Sequence, residues 1–196
     1  LQSGWRVEPT ANSAFAEQHT YIHMWYSAVP PLRYLLCSPM LNLTDLTSET
    51  IEMQFDMALT AGTTGAVVAP TPDKIAGQQF KVLVSTDNRT TWQEAGVWNE
   101  TADADYSFAA IPPSGRRYTV DLTRFAGQKV YVGFYGECLE KETNSTLHIK
   151  ALQIDTLSSD VCTTVSGMVV KETGYHTATL EFHSPSIKKA LAVQYV

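Results

Sequence analysis

The chain has 196 residues, of which 44% are hydrophobic and 17% charged, and its formal net charge is −6. This length suits one large β-domain or a domain with part of a second one, and no apolar run approaches the roughly 18 residues of a membrane-spanning helix. The sequence has no basic run longer than the pairs Arg116-Arg117 and Lys188-Lys189, which argues against a nucleic-acid-binding surface.

Strands are predicted throughout the first part of the chain. Two early strands are predicted, Thr20–Tyr26 and Arg33–Cys37, and Pro30-Pro31 breaks the chain between them. The strongest strand is Glu49–Leu59, in which five apolar side chains alternate with polar ones. That period of two indicates a half-buried antiparallel strand. The segment Ala61–Gln79 is rich in Gly, Thr and Pro, which predicts a long loop.

The clearest pattern lies between Phe80 and Glu137. The piece FKVLVSTDNRTTWQEAGVW alternates and then turns at Thr86–Arg89, which predicts a β-hairpin. The piece RRYTVDLTRFAGQKVYVGFYGE alternates again at Tyr118–Leu122 and Val130–Phe134. Strands with one apolar face must pack that face against a second layer. The predicted inter-sheet core contains Met53, Phe55, Val82, Val120, Val132 and Phe134.

The last strands define a boundary. Leu147–Leu157 is predicted to close a sandwich, and its imperfect alternation predicts a β-bulge. After Asp160 the pattern resets into short strands at 165–170, 177–183 and 190–196. The chain is therefore predicted to be all-β, with a β-sandwich in residues 1–157 and an incomplete second β-domain in residues 162–196, joined by a short polar linker.

These segments resemble a known family. STDNRTTW, YTVDLTRFAGQKVYVGFYG and YLLCSPMLNLTDLTSETIEMQFDMAL are similar to the cleaved-adhesin and MAM-like jelly-roll modules of bacterial surface and secreted proteins. The resemblance covers roughly residues 5–155 and implies a jelly-roll sandwich of the concanavalin-like or galactose-binding-like kind. Arg89 stands where the family usually has glycine, which bears on the turn because a positive φ is unfavourable for other residues.

The C-terminal residues resemble a different family. CTTVSGMVVKETGYHTATLEFHSPSIKKALAVQYV is similar to the first three strands of a fibronectin type III domain, with Phe182 in place of the usual strand-B tryptophan. This Ig-like domain is incomplete, since a whole sandwich takes about 100 residues. Either the protein continues beyond these strands, or they pack on the first domain.

A short motif in the hairpin is similar to the Asp-box of sialidase propellers. Ser85, Asp87, Thr91 and Trp92 match the pattern S-x-D-x-G-x-T-W, with Arg89 at the glycine position. Propellers repeat such a motif in every blade, whereas here it occurs once. A single copy predicts a structural hairpin in which the aspartate caps turn amides and the tryptophan packs.

Two ligand sites are candidates. The jelly-roll resemblance implies a structural Ca²⁺ near Asp155 on the closing strand, although Thr156 follows where a second acid is usual, and solvated loop acids are the simpler interpretation. The segment WNETADADYSF suggests a sugar site, because aromatic faces suit sugar C–H surfaces and carboxylates accept hydroxyls. Its predicted ligand-binding residues are Trp98, Asp103, Asp105 and Tyr106. Packing of the aromatic residues in the core or rim is the alternative.

Motifs for catalysis are absent from the sequence. It contains no H-E-x-x-H, G-x-S-x-G or P-loop, and its five histidines are scattered. Glu52 and Asp56 share a strand face, where solvated surface is a simpler interpretation than a glycosidase pair. We therefore expect no enzymatic activity.

The cysteines and asparagines leave alternatives open. Cys37, Cys138 and Cys162 have no metal-binding spacing, so buried thiols or one disulfide remain possible. Four asparagines lie in N-x-S/T sequences, which fit either the composition of a β-protein or glycosylation. They are Asn42, Asn88, Asn99 and Asn144.

Taken together, the patterns and resemblances predict a non-catalytic adhesion or carbohydrate-binding module of a larger secreted or cell-surface protein. Its partner would be a glycan or a host or cell-surface protein, and not a nucleic acid. The sequence shows no signal peptide, and we expect Leu1 to begin a mature or excised part of a longer chain. Two alternatives are an accessory domain of a secreted protease or glycosidase and a structural spacer.

Overall fold

The computed structural model describes residues 4–7, 15, 19–25, 31–47, 50–62, 67–103, 105–157, 166–173 and 178–183. The chain divides into two compact units, Leu1–Leu157 and Ser158–Val196. The elements of the first unit are the strands β1 to β10 and one short helix. They are β1 (Trp5–Val7), β2 (Thr20–Trp25), β3 (Leu32–Cys37), β4 (Leu41–Asn42), β5 (Thr50–Ala61), α1 (Pro72–Ile75), β6 (Gln78–Ser85), β7 (Gln93–Trp98), β8 (Arg116–Asp121), β9 (Lys129–Cys138) and β10 (Asn144–Leu157).

The first unit is an antiparallel β-sandwich. One sheet has the strand order β1-β2-β10-β5-β8, and the other has the order β3-β9-β6-β7, with β4 also paired to β9. All of these ladders are antiparallel. The predicted all-β class and jelly-roll sandwich are confirmed. The predicted loop 61–79 differs in detail, because Pro72 at the first helical turn begins the four-residue helix α1 within it.

The core lies between the sheets and is rich in aromatic rings. The six predicted core residues are all buried, from Met53 and Phe55 at 0% exposure to Phe134 at 5%. Phe134 lies 5.6 Å from the ring of Phe55 on the opposite sheet and stacks on Phe80 at 5.9 Å. Because every second residue of β5, β6 and β9 faces inward, the period-two pattern of the sequence translates directly into this core.

The predicted bulge in the closing strand is confirmed. The pairing of β10 with β5 shifts register between Lys150 and Gln153. Within that shift Ala151 has a φ of 52°, the left-handed conformation that a bulge residue adopts more readily than a regular strand residue.

A histidine cluster lies on the outer face of the sheet that contains β2 and β10. His148 is 0% exposed, and its Nδ1 is 3.0 Å from Nε2 of His19 while its Nε2 is 2.9 Å from Oγ1 of Thr60. His23 contacts Thr146 on the neighbouring strand, with 2.8 Å between Nδ1 and Oγ1. Burial, with the charges of His19 and His23 adding to it, lowers the pKa of His148 to about 3.

In the second unit, the structure describes one antiparallel hairpin. It comprises β11 (Ser166–Thr173) and β12 (Ala178–His183), paired from Ser166 opposite His183 to Thr173 opposite Ala178. These strands agree with two of the three strands predicted there. The third, at 190–196, and Cys162 lie outside the described residues, so the fibronectin type III assignment stays a prediction. Within the part of the chain that the structure describes, no helix is long and apolar enough to cross a membrane.

We expect Phe134→Ala to lower the free energy of unfolding by about 3–5 kcal/mol, because it leaves a cavity where rings from both sheets meet. Urea denaturation followed by tryptophan fluorescence measures the change. Thr119→Ala, at an exposed strand position, is the control and should stay within about 0.5 kcal/mol. Equal effects of the two substitutions would contradict an inter-sheet core at Phe134.

The burial of His148 makes stability depend on pH. Because its pKa is lowered from 6.5 to about 3 on folding, the unfolded chain binds one more proton between those values. Stability should therefore fall as pH drops through this window, by up to about 1.4 kcal/mol per pH unit. We expect His148→Gln to flatten this part of the curve, measured by urea denaturation between pH 7 and pH 4. An unchanged slope would show that His148 is not the titrating group.

Candidate functional site

An open groove follows β7, which is an edge strand of the sheet that contains β6 and β9. One side of the groove is the strand segment 94–97, and the other is the loop after β7. Its volume is about 520 Å³. The lining side chains that can make polar or stacking contacts are Glu94, Thr101, Asp103 and Tyr106. The groove thus contains two of the predicted sugar-binding residues together with two that were not predicted.

Backbone hydrogen bonds close the loop that forms the outer wall. Asn99 N donates to Tyr106 O at 3.3 Å, and Phe108 N donates to Asn99 O at 3.0 Å. Inside the loop, Tyr106 N donates to Asp103 O at 2.8 Å, and the side-chain Oδ1 of Asn99 accepts from Thr101 N at 3.0 Å. These hydrogen bonds join the two ends of the loop and cross its middle, so they restrain the positions of Asp103 and Tyr106.

The structure corrects the role predicted for Trp98. Its side chain is 0% exposed and packs in the core at 5.4 Å from Phe80, so the indole cannot touch a ligand in this structure. The exposed ring is Tyr106, which is 42% exposed and lies 5.4 Å from the Trp98 ring. The buried Trp98 ring therefore packs beneath the exposed Tyr106 ring. The sequence could not show which ring is buried and which is exposed, because both residues are aromatic and only eight positions apart.

The charged groups around the groove differ in how far they are already paired. The carboxylate of Glu94 forms an ion pair with Lys81. The backbone carbonyl oxygen of Glu94 accepts a hydrogen bond from Nη2 of Arg124. The carboxylate of Asp105 lies 3.4 Å from Nη2 of Arg116, so this predicted ligand residue is partly engaged. Among the described residues, no hydrogen bond or ion pair involves the carboxylate of Asp103. Among the described residues that line the groove, Asp103 thus has the carboxylate without a hydrogen-bond or ion-pair partner.

Asp155, the predicted calcium ligand, lies on β10 opposite Glu52 of β5. Both of its carboxylate oxygens accept from Nε2 of Gln153 at 2.8 Å. Calcium takes six to eight oxygens, several of them from carboxylates. Within the described ranges, no group of three or more His, Cys, Asp or Glu side chains is arranged to hold a metal ion. The residues around Asp155 do not fit such a site, and calcium binding there stays a sequence prediction.

The Asp-box hairpin connects β6 to β7, and Asp87 organises it. One oxygen of Asp87 accepts from Ser85 Oγ at 2.8 Å and from the backbone amides of Thr90 and Thr91 at 3.2 and 2.9 Å. The other accepts from Thr91 Oγ1 at 2.6 Å. These bonds, led by those from Thr91, lower the pKa of Asp87 to about 2. The prediction that Asp87 caps the turn is confirmed.

The described cysteines and the asparagines of the four N-x-S/T sequences differ in exposure. Cys37 is half-buried and Cys138 buried, and both are free thiols. Asn42 and Asn88 are exposed, whereas Asn99 and Asn144 are half-buried.

No protein-family model matches the chain, and no curated protein matches its sequence. Among solved structures, it is similar to the K1 cleaved adhesin domain of Lys-gingipain (Kgp) from Porphyromonas gingivalis W83, at 18% identity and a TM-score of 0.45, covering 76% of this chain and 84% of that chain. It is also similar to a solved CBM4 structure, at 9% identity and a TM-score of 0.33, covering 79% of this chain and 95% of that one. Because these identities and TM-scores are low, function has to be argued from the residues of the chain itself.

The stability of the hairpin should depend on the ionisation of the Asp87 carboxyl, which a titration can measure. The folded pKa of Asp87, about 2, lies below its unfolded value of 3.8, so the stabilisation by this group is complete above pH 3.8 and lost as pH falls through 2. We expect a ¹³C NMR titration of the side-chain carboxyl to give this low pKa. Asp87→Asn should lower the melting temperature at pH 7, since an amide NH₂ would then face the donors of Thr91. A pKa near 3.8, or no loss in Asp87→Asn, would contradict the observed turn.

Proposed function

We propose that this chain is a non-catalytic carbohydrate-binding or adhesion module of a larger secreted or cell-surface protein, and that the groove along β7 contacts the glycan. The observation that supports this most directly is the Tyr106 ring. It is 42% exposed, lies on the buried Trp98 and stands beside the free carboxylate of Asp103.

The chemistry of the groove suits a sugar. The face of an aromatic ring packs on the C–H groups of a pyranose, and a carboxylate accepts hydrogen bonds from its hydroxyls. The loop that carries Tyr106 and Asp103 is fixed by its own hydrogen bonds, so little conformational entropy is lost when a ligand binds. An open groove of about 520 Å³ also lets a longer glycan pass through it instead of enclosing one small molecule.

The same residues favour binding over catalysis. The groove is lined by Glu94, Asp103, Thr101 and Tyr106 with small or apolar neighbours, and it includes no histidine or cysteine. Of its two carboxylates, Glu94 is already paired with Lys81. A pair of carboxylates acting together on a glycosidic bond would need both to be available. If the chain serves as the accessory domain of a hydrolase, the groove would hold substrate for a catalytic domain elsewhere.

We expect Tyr106→Ala to weaken glycan binding about tenfold or more, because it removes the exposed stacking surface. Tyr106→Phe keeps the ring and should retain most of the affinity. Asp103→Asn should weaken binding to hydroxyl-rich ligands, since the free carboxylate becomes an amide. A glycan array identifies the ligand, isothermal titration calorimetry measures the affinity, and circular dichroism checks the fold.

Met40→Ala is the matched control for this experiment, because Met40 is an exposed apolar side chain, 49% accessible, outside the groove. It should leave the affinity unchanged. A wild-type chain that binds no glycan, or a Tyr106→Ala variant that binds as well as the wild type, would refute the groove as the binding site.

A further inference from the structure

We infer that the outer face of the sheet that contains β6 and β9 carries a second binding site, for a carboxylate-bearing sugar such as a uronic or sialic acid, formed by Arg89, Trp92 and Tyr131. This site lies at the Asp-box hairpin and does not depend on the groove along β7. The sequence predicts only a turn position for Arg89 and packing for Trp92, and no role for Tyr131 beyond its place in a strand.

Arg89 occupies a backbone conformation that favours glycine. Its φ is 70°, and the preceding Asn88 has a φ of 58°. In this region a Cβ atom meets steric resistance that glycine avoids. The turn itself does not need the arginine side chain, because Arg89 contributes only its backbone amide, which donates to Ser85 Oγ at 2.8 Å. A strained residue that the turn does not require points to a role for the guanidinium.

The guanidinium of Arg89 lies over an aromatic ring and keeps its charge uncompensated. Its Cζ is 4.9 Å from the ring centre of Tyr131. The ion pairs found within the described residues do not include Arg89. Asp87 is close in sequence, but its oxygens accept bonds from Ser85, Thr90 and Thr91. Arg89 therefore offers its fork of N–H donors to an incoming anion.

Two other charged groups on this face, Glu137 and Lys81, are already paired. The buried carboxylate of Glu137 accepts from Arg33 Nε at 2.6 Å, from Tyr135 OH at 3.1 Å and from Gln79. Burial opposes its ionisation, but these bonds outweigh burial and lower the pKa of Glu137. Lys81, on the same face, is paired with Glu94. Lys129, at the start of β9, also has no ion pair among the described residues, but of these two cations only Arg89 lies over a ring, that of Tyr131.

Trp92 supplies the stacking surface beside Arg89. A Cβ atom at Gly133 would lie 3.0 Å from the indole and 2.8 Å from Leu35, so Gly133 is what lets Trp92 approach the sheet this closely. Trp92 and Tyr131 are both half-buried, which leaves part of each ring accessible. Tyr131 and Gly133 are two residues apart on β9 and share a face. The cation and both rings thus lie on the same face of the sheet.

This combination selects an acidic sugar. A guanidinium binds a carboxylate through two parallel N–H···O bonds, and an adjacent aromatic face packs on the sugar ring. Because the chain as a whole has a net charge of −6, the anion must be recognised by contact and not by long-range attraction. A neutral sugar would stack on the rings but leave the guanidinium without its partner.

The strained backbone allows a clean test. Arg89→Gly removes the guanidinium and relaxes the positive φ, so the fold should be kept and the melting temperature should not fall. The probes are galacturonic acid oligomers and their methyl esters, and sialyllactose and lactose, measured by isothermal titration calorimetry. We expect the acids to bind more tightly than their neutral counterparts, and Arg89→Gly to lose about tenfold or more of that affinity. Arg89→Lys, which keeps the charge but not the planar fork, should show a smaller loss.

Two controls separate this site from the groove. Arg6→Ala removes one exposed positive charge from the other sheet and should leave acid binding unchanged. Tyr106→Ala should weaken binding at the groove about tenfold or more but keep the preference for acids. If no acidic probe binds, if acid and ester bind equally, or if Arg89→Gly binds the acids as the wild type does, the inference is wrong. In those cases a loss of neutral glycan binding in Tyr106→Ala would still support the groove.

Discussion

The aromatic contact between the two sheets is the interaction on which the rest of the structure depends. Phe55 of β5 lies within 6.3 Å of the rings of Phe80, Trp98, Tyr118 and Phe134. Offset and edge-to-face arrangements such as these stabilise aromatic pairs beyond the area that they bury. The cluster joins the two sheets of the sandwich, because Phe55 lies on one sheet while Phe80, Trp98 and Phe134 lie on the other.

This core also extends to the candidate groove. Trp98 belongs to the aromatic cluster and at the same time ends β7, where the chain turns into the loop 99–107. Tyr106 rests on its ring and is the part of this stack that reaches solvent. The exposed ring is therefore supported by the buried aromatic core. A binding surface built in this way needs no rearrangement to meet a ligand.

Some charged groups of this protein are hydrogen-bonded or ion-paired, whereas others have no ion-pair partner among the described residues. This difference in pairing separates groups with a structural role from candidate binding groups. Glu137 and Asp87 are each surrounded by donors, and both have lowered pKa values for that reason. Asp103 and Arg89, in contrast, have no ion-pair partner among the described residues. Both stand beside an exposed or half-buried aromatic ring. A free charge next to a ring can both hydrogen-bond and stack on a ligand, which is why these two places carry the proposals.

The sequence alone predicted the strands of the first unit other than β1 and β4, the six core residues and the bulge, because each follows from local periodicity. Alternation in β5, β6 and β9 specifies which side chains are buried, and a break in alternation in β10 specifies the irregularity near Ala151. The capping role of Asp87 was also readable, since its partners lie within four residues. Local patterns of this kind need no knowledge of which strands are neighbours.

Only the tertiary structure decided which candidate residues are accessible and which are paired. Trp98 and Tyr106 are both aromatic and close in sequence, but the first faces the other sheet and the second faces solvent. Glu94 joined the groove because β7 is an edge strand, and Arg89 remained unpaired because the oxygens of Asp87 are occupied. Burial and pairing depend on contacts between segments far apart in the chain, and a periodic pattern carries no information about them.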